Sequence, residues 1–379
     1  MPVPKWDNWP HVIRTQQFSA QVLKALVAHA TEIEIALMTR KEIPRRSRKR
    51  DWDVKEAFFE NSTRTEDTFC AAARRLGCNV RVLPNPTIFS STTKGESLQS
   101  SICVYTRVGG MGELRSTDML IIRHAHEGTA ERAAKIVDTA NGDGVKKLPL
   151  PVINAGDGPG QHPTQALVDL FTIYRERKCD GHPLDDITIC FSGDTKFGRT
   201  INSLAYLIGR FGDQHKIRVI FSTLDQLGPK PEILEYLSRH HITFDFVPDL
   251  KAAIKMSNVI YMTRIQRERP GMPAISREER LRYVFKREYQ EILPHGTFVM
   301  HPLPINQDPE DPPAEIDEAL MSPAIAGDPR YAWFRQSMRG IPMRIALLDA
   351  IFVGMDAEED KCMLNFVRNG NSAPVAELV

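Results

Sequence analysis

The sequence predicts an α/β protein of two doubly wound domains, each built on a parallel sheet. Short continuous apolar runs of buried-strand type alternate with helical patterns through both halves of the chain. The runs end in polar residues, as Met119-Leu120-Ile121-Ile122 does at Arg123-His124. Open α/β sheets place their sites at such carboxyl ends. The pattern restarts at Gly181-His182-Pro183, so a domain boundary is expected near residues 165–185.

A chain of 379 residues, 42% of them hydrophobic, is long enough for two domains with proper cores. A formal net charge of +1 argues against a general nucleic-acid binder, which would be strongly basic. No apolar run approaches the length of a membrane span, and Met1 to Trp6 lacks a signal-peptide core. The six cysteines are scattered without paired metal-ligand spacing and read as reduced, mostly buried thiols. These features point to a cytoplasmic globular protein with no membrane segment, no nucleic-acid partner, no metal and no cofactor.

Residues 12–38 carry a helical pattern with Val22, Leu23, Leu26 and Val27 on one side. A basic run over 40–50 follows; it reads as a solvated, mobile loop, or alternatively as a docking site for an acidic partner. The apolar Ala57-Phe58-Phe59 then gives way to Glu60-Asn61-Ser62-Thr63-Arg64-Thr65-Glu66. Phe69, Ala72, Ala73 and Leu76 recur at helical spacing, which puts the hydroxyls at a helix N-terminus. Backbone N–H groups, the positive end of the dipole and a guanidinium converge there, as phosphate binding requires. The local alternative is a capping box between Thr63 and Glu66. Residues 80–83 read as a strand, and 90–97 as a hydroxyl-rich loop with one lysine, Lys94. Val152-Ile153 is a strand ending at Asn154-Ala155-Gly156-Asp157-Gly158. His162-Pro163-Thr164-Gln165 then opens an apolar helix through Leu167, Leu170 and Phe171, its proline in the favourable first turn.

In the second half, strands are expected at 187–191, 218–221, 243–247, 259–262 and 298–300. Gly193 to Thr200 nearly matches the phosphate-loop pattern G-x-x-x-x-G-K-[ST], but Arg199 holds the lysine position, and a planar guanidinium does not replace a compact ammonium. A plain strand–helix turn is one alternative. Another is that Lys196 and Arg199 bind a dicarboxylate, since an arginine fork suits carboxylate geometry. Arg264 and Gln266 follow the strand at 259–262 and can point the same way in extended backbone. His162 reads alone as a capping or core histidine, and His301-Pro302-Leu303-Pro304 as a strand terminus. A final helix near 344–352 precedes a polar tail expected to be poorly ordered.

In this order the motifs resemble the catalytic chains of aspartate carbamoyltransferases. The resemblance rests on Phe58 to Thr65, Lys94-Gly95-Glu96-Ser97-Leu98, Arg123-His124, Asn154 to Gly158 and His162 to Gln165. It continues through Asp194 to Thr200, Met262 to Arg269 and His301 to Pro304, and covers roughly residues 11–353. Ornithine carbamoyltransferases share the phosphate end but normally carry cysteine before the second Leu-Pro motif, where this chain has Pro302. Arg264 with Gln266 fits the aspartate branch.

The resemblance implies transfer of a carbamoyl group from carbamoyl phosphate to the α-amino group of L-aspartate, an early step in pyrimidine synthesis, in a cleft between the two domains. It implies a carbamoyl-phosphate-binding domain over 1–165 and an aspartate-binding domain over 166–340. Residues 341–379 would form a C-terminal helix returning to the first domain, then the tail. Ser62, Thr63, Arg64 and Thr65 would hold the phosphate. Arg123, His162 and Gln165 would surround the carbamoyl group, with the backbone of Leu303 and Pro304. Thr65, Arg123 and His162 would be the donors to the developing oxyanion. Lys196 is placed with the substrate-binding residues, and Arg199, Arg264 and Gln266 would clamp aspartate. Ser90 and Lys94 would reach into the neighbouring subunit's site, which implies a homotrimer with shared sites. A regulatory subunit or a dihydroorotase partner is possible in such a family.

The chain departs from the family pattern at several places. Glu66 stands where arginine is usual, Ala125 where proline is common and Ile305 where arginine is frequent. Extra residues lie near 40–50, 108–116 and 140–148. The Glu66 carboxylate is expected to complete the cap on Thr63. Were it to face the phosphate, the alternative would be a catalytically silent homologue that scaffolds other pyrimidine enzymes.

Overall fold

The structure is a computed structural model that describes residues 5–7, 9–48, 51–83, 95–106, 117–140, 149–177, 181–266, 271–306, 314–322, 325 and 327–368. Ser90 and Lys94 and the extra residues at 108–116 lie outside the described residues.

Two parallel sheets form the frame. The first contains β1 (Asp53–Phe58), β2 (Asn79–Leu83), β3 (Met119–His124) and β4 (Val152–Asp157) in the order β2-β1-β3-β4. The second contains β5 (Ile187–Ser192), β6 (Ile217–Ser222), β7 (Thr243–Phe246), β8 (Val259–Met262) and β9 (Phe298–Met300) in the order β7-β6-β5-β8-β9. In the first half α1 (Ala20–Met38), α2 (Thr63–Arg75), α3 (Leu98–Thr106) and α4 (Thr129–Ala140) accompany the strands. Then come α5 (Pro163–Glu176), α6 (Arg199–Gly209), α7 (Pro231–Arg239), α8 (Leu250–Lys255) and α9 (Arg277–Leu281). The chain closes with α10 (Trp333–Met338) and α11 (Gly340–Arg368), which packs against α1 and α2.

The strand order turns around between β1 and β3 in one sheet and between β5 and β8 in the other. Connections from such neighbours leave on opposite faces, which opens a crevice at their carboxyl ends. The segments that follow these four strands start at Phe59, Ala125, Gly193 and Thr263, and the site is built from them.

Helices on both faces explain why β3 is continuously apolar until its last two residues and why every residue of β4 is buried, the polar Asn154 included. Strand β1 is less legible because Lys55 and Glu56 interrupt it, yet both are buried. Lys55 satisfies its ammonium on the carbonyl of Tyr105. Ser19 caps α1 by accepting from the N–H of Val22. Trp52 stacks on Phe352 of α11 with ring centroids 5.4 Å apart. Among the described residues no helix is long and apolar enough to cross a membrane.

Part of the basic run is not a solvated loop. The N–H groups of Arg46 and Ser47 donate to Asp349 of α11 at 2.8 and 2.9 Å, and the Ser47 hydroxyl donates to it at 2.6 Å. His29 adds a contact at 2.9 Å from α1, and the Arg48 N–H donates to Asp356 at 2.7 Å. The partners lie some three hundred residues away in sequence, so charge patterning could not reveal them. Despite burial, these bonds hold the Asp349 carboxyl below its ordinary range. Its contribution is present above the usual carboxylate pKa and is lost as pH falls through the depressed one. Asp349→Ala is expected to destabilise the fold by about 3–5 kcal/mol in urea unfolding, because several buried donors lose their acceptor at once. A loss below about 1 kcal/mol would contradict that strap.

The last helix is also longer than expected. It runs to Arg368, through much of the segment that reads as polar tail.

Candidate active site

Helix α2 begins at Thr63, one residue too early for the expected capping box, which needs Thr63 itself as the N-cap. Ser62 is the N-cap, with no side-chain bond to the first turn, and Glu66 only donates its N–H to the Ser62 carbonyl. The first-turn N–H groups of a helix have no intrahelical acceptor. Here the Ser62 side chain does not cap them, and Ser62, Thr63, Arg64 and Thr65 line an adjoining cavity of about 690 Å³. Glu66 is absent from that lining. Its carboxyl is partly buried, and burial together with Asp67 raises its pKa. It therefore neither completes a cap nor faces the cavity.

Arg123 is the last residue but one of β3, and Arg199 begins α6. Their guanidiniums meet at a carboxylate that motif reading passed over. Glu60 accepts from Arg123 Nη2 at 2.8 Å, and from Arg199 Nη2 and Nη1 at 2.8 and 3.1 Å. Arg123 also donates to the Ala155 carbonyl at 3.2 Å, and Arg199 to that of Gly158 at 3.2 Å. Gly156 makes this convergence possible. It sits at φ 115°, and a Cβ there would lie 3.0 Å from Arg123 Nη1 and 3.1 Å from Arg199 Cζ.

His162 caps α5, as its capping reading expects, and it also lines the cavity. Its Nδ1 accepts from the Gln165 N–H at 3.3 Å, which leaves the proton on Nε2. Burial, with Arg123, Arg199 and Arg344 nearby, pushes its pKa well below the ordinary value. The imidazole is thus a neutral donor on the cavity wall. Gln165 lies one turn on and donates through Nε2 to Asp169 at 2.8 Å.

Asp169 is a support that sequence reasoning missed. It is fully buried and also accepts from Gln336 Nε2 and the Tyr261 hydroxyl, each at 2.7 Å. Gln336 in turn accepts the His301 N–H at 2.9 Å. One carboxyl thereby ties α5, β8 and α10 to the segment after β9. Burial raises its pKa to about 6, against these donors, which lower it.

From the second sheet, Arg264, Gln266, Leu303 and Pro304 reach the same cavity. Gln266 donates to the Phe197 carbonyl at 3.3 Å. Leu303 is held at φ 55°, a conformation costly for a leucine, with its N–H on His301 Nδ1 at 2.9 Å. His301 is neutral, its pKa pushed to about 3 by burial and then by Arg64 and Arg264. Its Nε2 has no hydrogen-bond partner among the described residues, and the ring lines the cavity. Lys196 is exposed, rests near the Phe197 ring at 5.6 Å and does not line the cavity.

Among the described residues the lining therefore holds Arg64, Arg123, Arg199, Arg264 and Arg344, with Glu60 as its one carboxylate. Arg344, from α11, was not anticipated from the sequence. Such a cavity favours anions, and its donors come from both sheets. Away from it, His182, Asp185 and His215 cluster with ligand atoms within 4.8 Å of one another. Asp185 and both ring nitrogens of His182 are already committed to hydrogen bonds there.

Two family models divide the chain between them. The model described as aspartate/ornithine carbamoyltransferase, carbamoyl-P binding domain, matches residues 10–175. The one described as the Asp/Orn binding domain of the same family matches 185–351. The chain belongs to the aspartate/ornithine carbamoyltransferase family. It is 37% identical to an aspartate carbamoyltransferase described as chloroplastic from Oryza sativa subsp. japonica, over 90% of this chain and 85% of the relative. It is 35% identical to the aspartate carbamoyltransferase catalytic subunit of Methanothrix thermoacetophila, over 90% of this chain and 97% of the relative. Among solved structures, it is similar to Trypanosoma cruzi aspartate transcarbamoylase in complex with N-(phosphonacetyl)-L-aspartic acid. That match has a TM-score of 0.74 and 28% identity, over 90% of this chain and 95% of the other.

Proposed function

We propose that the chain transfers the carbamoyl group of carbamoyl phosphate to the α-amino group of L-aspartate, giving N-carbamoyl-L-aspartate and phosphate for pyrimidine synthesis. The observation that carries this reading is the cavity in which a helix start left open by Ser62 and five arginines from both halves of the chain converge. Two anions brought together there lose their mutual repulsion to fixed positive charge.

Ser62, Thr63, Arg64 and Thr65 hold the phosphate against the first turn of α2. Thr65, Arg123 and neutral His162 donate to the carbamoyl oxygen, and Gln165 faces the carbamoyl group with the Leu303 and Pro304 backbone. Arg199, Arg264 and Gln266 take the two carboxylates of aspartate. The unprotonated amine attacks the carbonyl carbon, the C–O bond to phosphate breaks with its electron pair leaving on oxygen, and the amine's extra proton passes to the departing phosphate. Glu60 positions Arg123 and Arg199, since one carboxylate fixes both forks. Holding the substrates in attack geometry contributes about 7–11 kcal/mol. Lys196, outside the cavity lining, receives no role in this scheme.

The domain division follows the same reading, with 1–165 serving carbamoyl phosphate, 166–340 aspartate and 341–379 returning to the first domain. The two sheets and the separate family matches support a division of this kind. Purified chain should form carbamoyl aspartate from aspartate and not use ornithine; no turnover, or preference for ornithine, would overturn the assignment.

We also infer a homotrimer in which Ser90 and Lys94 complete a neighbouring site. Lys94→Ala and His162→Ala, each nearly inactive alone, should regain activity when mixed. In a random hybrid at equal mixing, about a quarter of sites pair a native His162 with a neighbour's native Lys94, a chance of about one half for each chain. Verified subunit exchange without any recovery would sink the shared site.

A further inference from the structure

On β1, ahead of the cavity-lining Glu60, lies a carboxyl group that the chemistry above does not use. Glu56 has no solvent exposure, and neither carboxyl oxygen has a hydrogen-bond partner among the described residues. Its register neighbours on β2 and β3 are Val82 and Ile121, both apolar. The charged and titratable groups around it come from two helices: Glu66, Asp67, Cys70 and Arg74 of α2, and Arg344 of α11. An isolated charge in such surroundings is costly, and burial pushes the Glu56 pKa up to about 8.

Of these groups only Arg344 lines the cavity. It is itself buried, its Nε has no hydrogen-bond partner, and its guanidinium lies over the Phe69 ring at 4.8 Å. Gly340 makes room for it, since a Cβ there would come within 2.4 Å of Nη1. Two carboxyls act on this cation across the core, Glu56 first and Asp169 second. Asp169 is held by three donors and cannot turn toward it, whereas Glu56 is held by none.

We propose that Glu56 is a positioning residue that acts on the cavity through Arg344. With Glu56 protonated, the charge of Arg344 is left to the anionic substrate. With Glu56 ionised, that charge is answered from inside the protein and the carbamoyl-phosphate site weakens. This rests on the reading that the cavity binds carbamoyl phosphate. The linkage has a fixed sign: a bound anion favours protonated Glu56, so binding near pH 8 takes up a proton and affinity falls as pH rises through that value. By Coulomb's law at an effective dielectric of about 20, a unit charge acting over about 10 Å changes an affinity on the order of tenfold.

The test is calorimetric titration of the full chain with carbamoyl phosphate, from pH 6.5 to 9.5, in two buffers of different ionisation enthalpy. Wild type should lose about tenfold in affinity across the range and take up protons at pH 8. Glu56→Gln, which mimics the protonated carboxyl, should keep its pH 7 affinity throughout and take up none there. The same fall and uptake in Glu56→Gln would place the titrating group elsewhere and overturn the proposal. So would a pH-independent wild type, a readout that does not depend on the variant folding. Absence of binding by wild type at pH 7 would instead overturn the substrate reading. Melting temperatures give an independent check. The raised pKa makes ionised Glu56 a growing burden above the ordinary carboxylate range, so Glu56→Gln should melt higher than wild type at pH 9; a lower value contradicts the proposal.

Discussion

Arg123→Ala is expected to lower kcat by roughly 10²–10³-fold, the usual effect of removing one oxyanion donor. Its guanidinium is fixed on two sides, by Glu60 at 2.8 Å and the Ala155 carbonyl at 3.2 Å, and Gly156 keeps the space beside it open. A donor held this way pays little reorganisation when charge builds on the carbamoyl oxygen. Arg123→Lys should recover little, because an ammonium cannot keep Glu60 and the carbonyl while also donating to substrate. Steady-state kinetics with both substrates varied would show the fall in kcat. A kcat within about threefold of wild type would remove Arg123 from the transition state.

Glu60→Gln should lower kcat/KM by about 10²-fold, a loss equal to roughly 2.7 kcal/mol of transition-state stabilisation. The substitution keeps the shape and removes the charge that joins Arg123 to Arg199. Two guanidiniums held over Gly156 without a carboxylate between them repel, so both should turn away from their working positions. Because both the donor to the carbamoyl oxygen and the clamp on aspartate move, kcat should fall and the KM for aspartate should rise together. The Glu60 side chain is 23% exposed, and water screens part of the repulsion, so the cost in stability should stay near 1–2 kcal/mol. Unchanged aspartate KM would show that Glu60 does not position Arg199.

These two residues mark where the sequence was legible and where it was not. Arg123 and the 62–65 hydroxyls were readable because their work is local: a strand end, a helix start and the N–H groups it leaves open. Glu60 stood inside the same motif, but a carboxylate beside a phosphate-binding helix shows its use only when arginines from β3 and α6 arrive. Asp169 and Arg344 were silent for a similar reason. Their partners come from separate elements, and a buried polar residue in a helix carries no period that marks it. Glu66 drew attention as a departure from the family pattern, yet the helix begins at Thr63 and the carboxylate points to neither expected place. At fold level, the alternation of apolar runs and helices was enough for two parallel sheets. Strand β1 was obscured by Lys55 and Glu56, and the strap at 45–48 by acceptors on the far side of the chain.

Two anions bound side by side in one cavity are the core of the proposed function. The most direct measurement is calorimetric binding of N-(phosphonacetyl)-L-aspartate to wild type, Thr65→Ala and Arg264→Ala. One molecule per chain should bind, and each variant should weaken it by roughly tenfold or more, since one contact comes from each sheet and each charge-assisted bond is worth about 1.5–3 kcal/mol. Binding that survives either substitution unchanged, or no binding by wild type, would contradict a shared two-anion site.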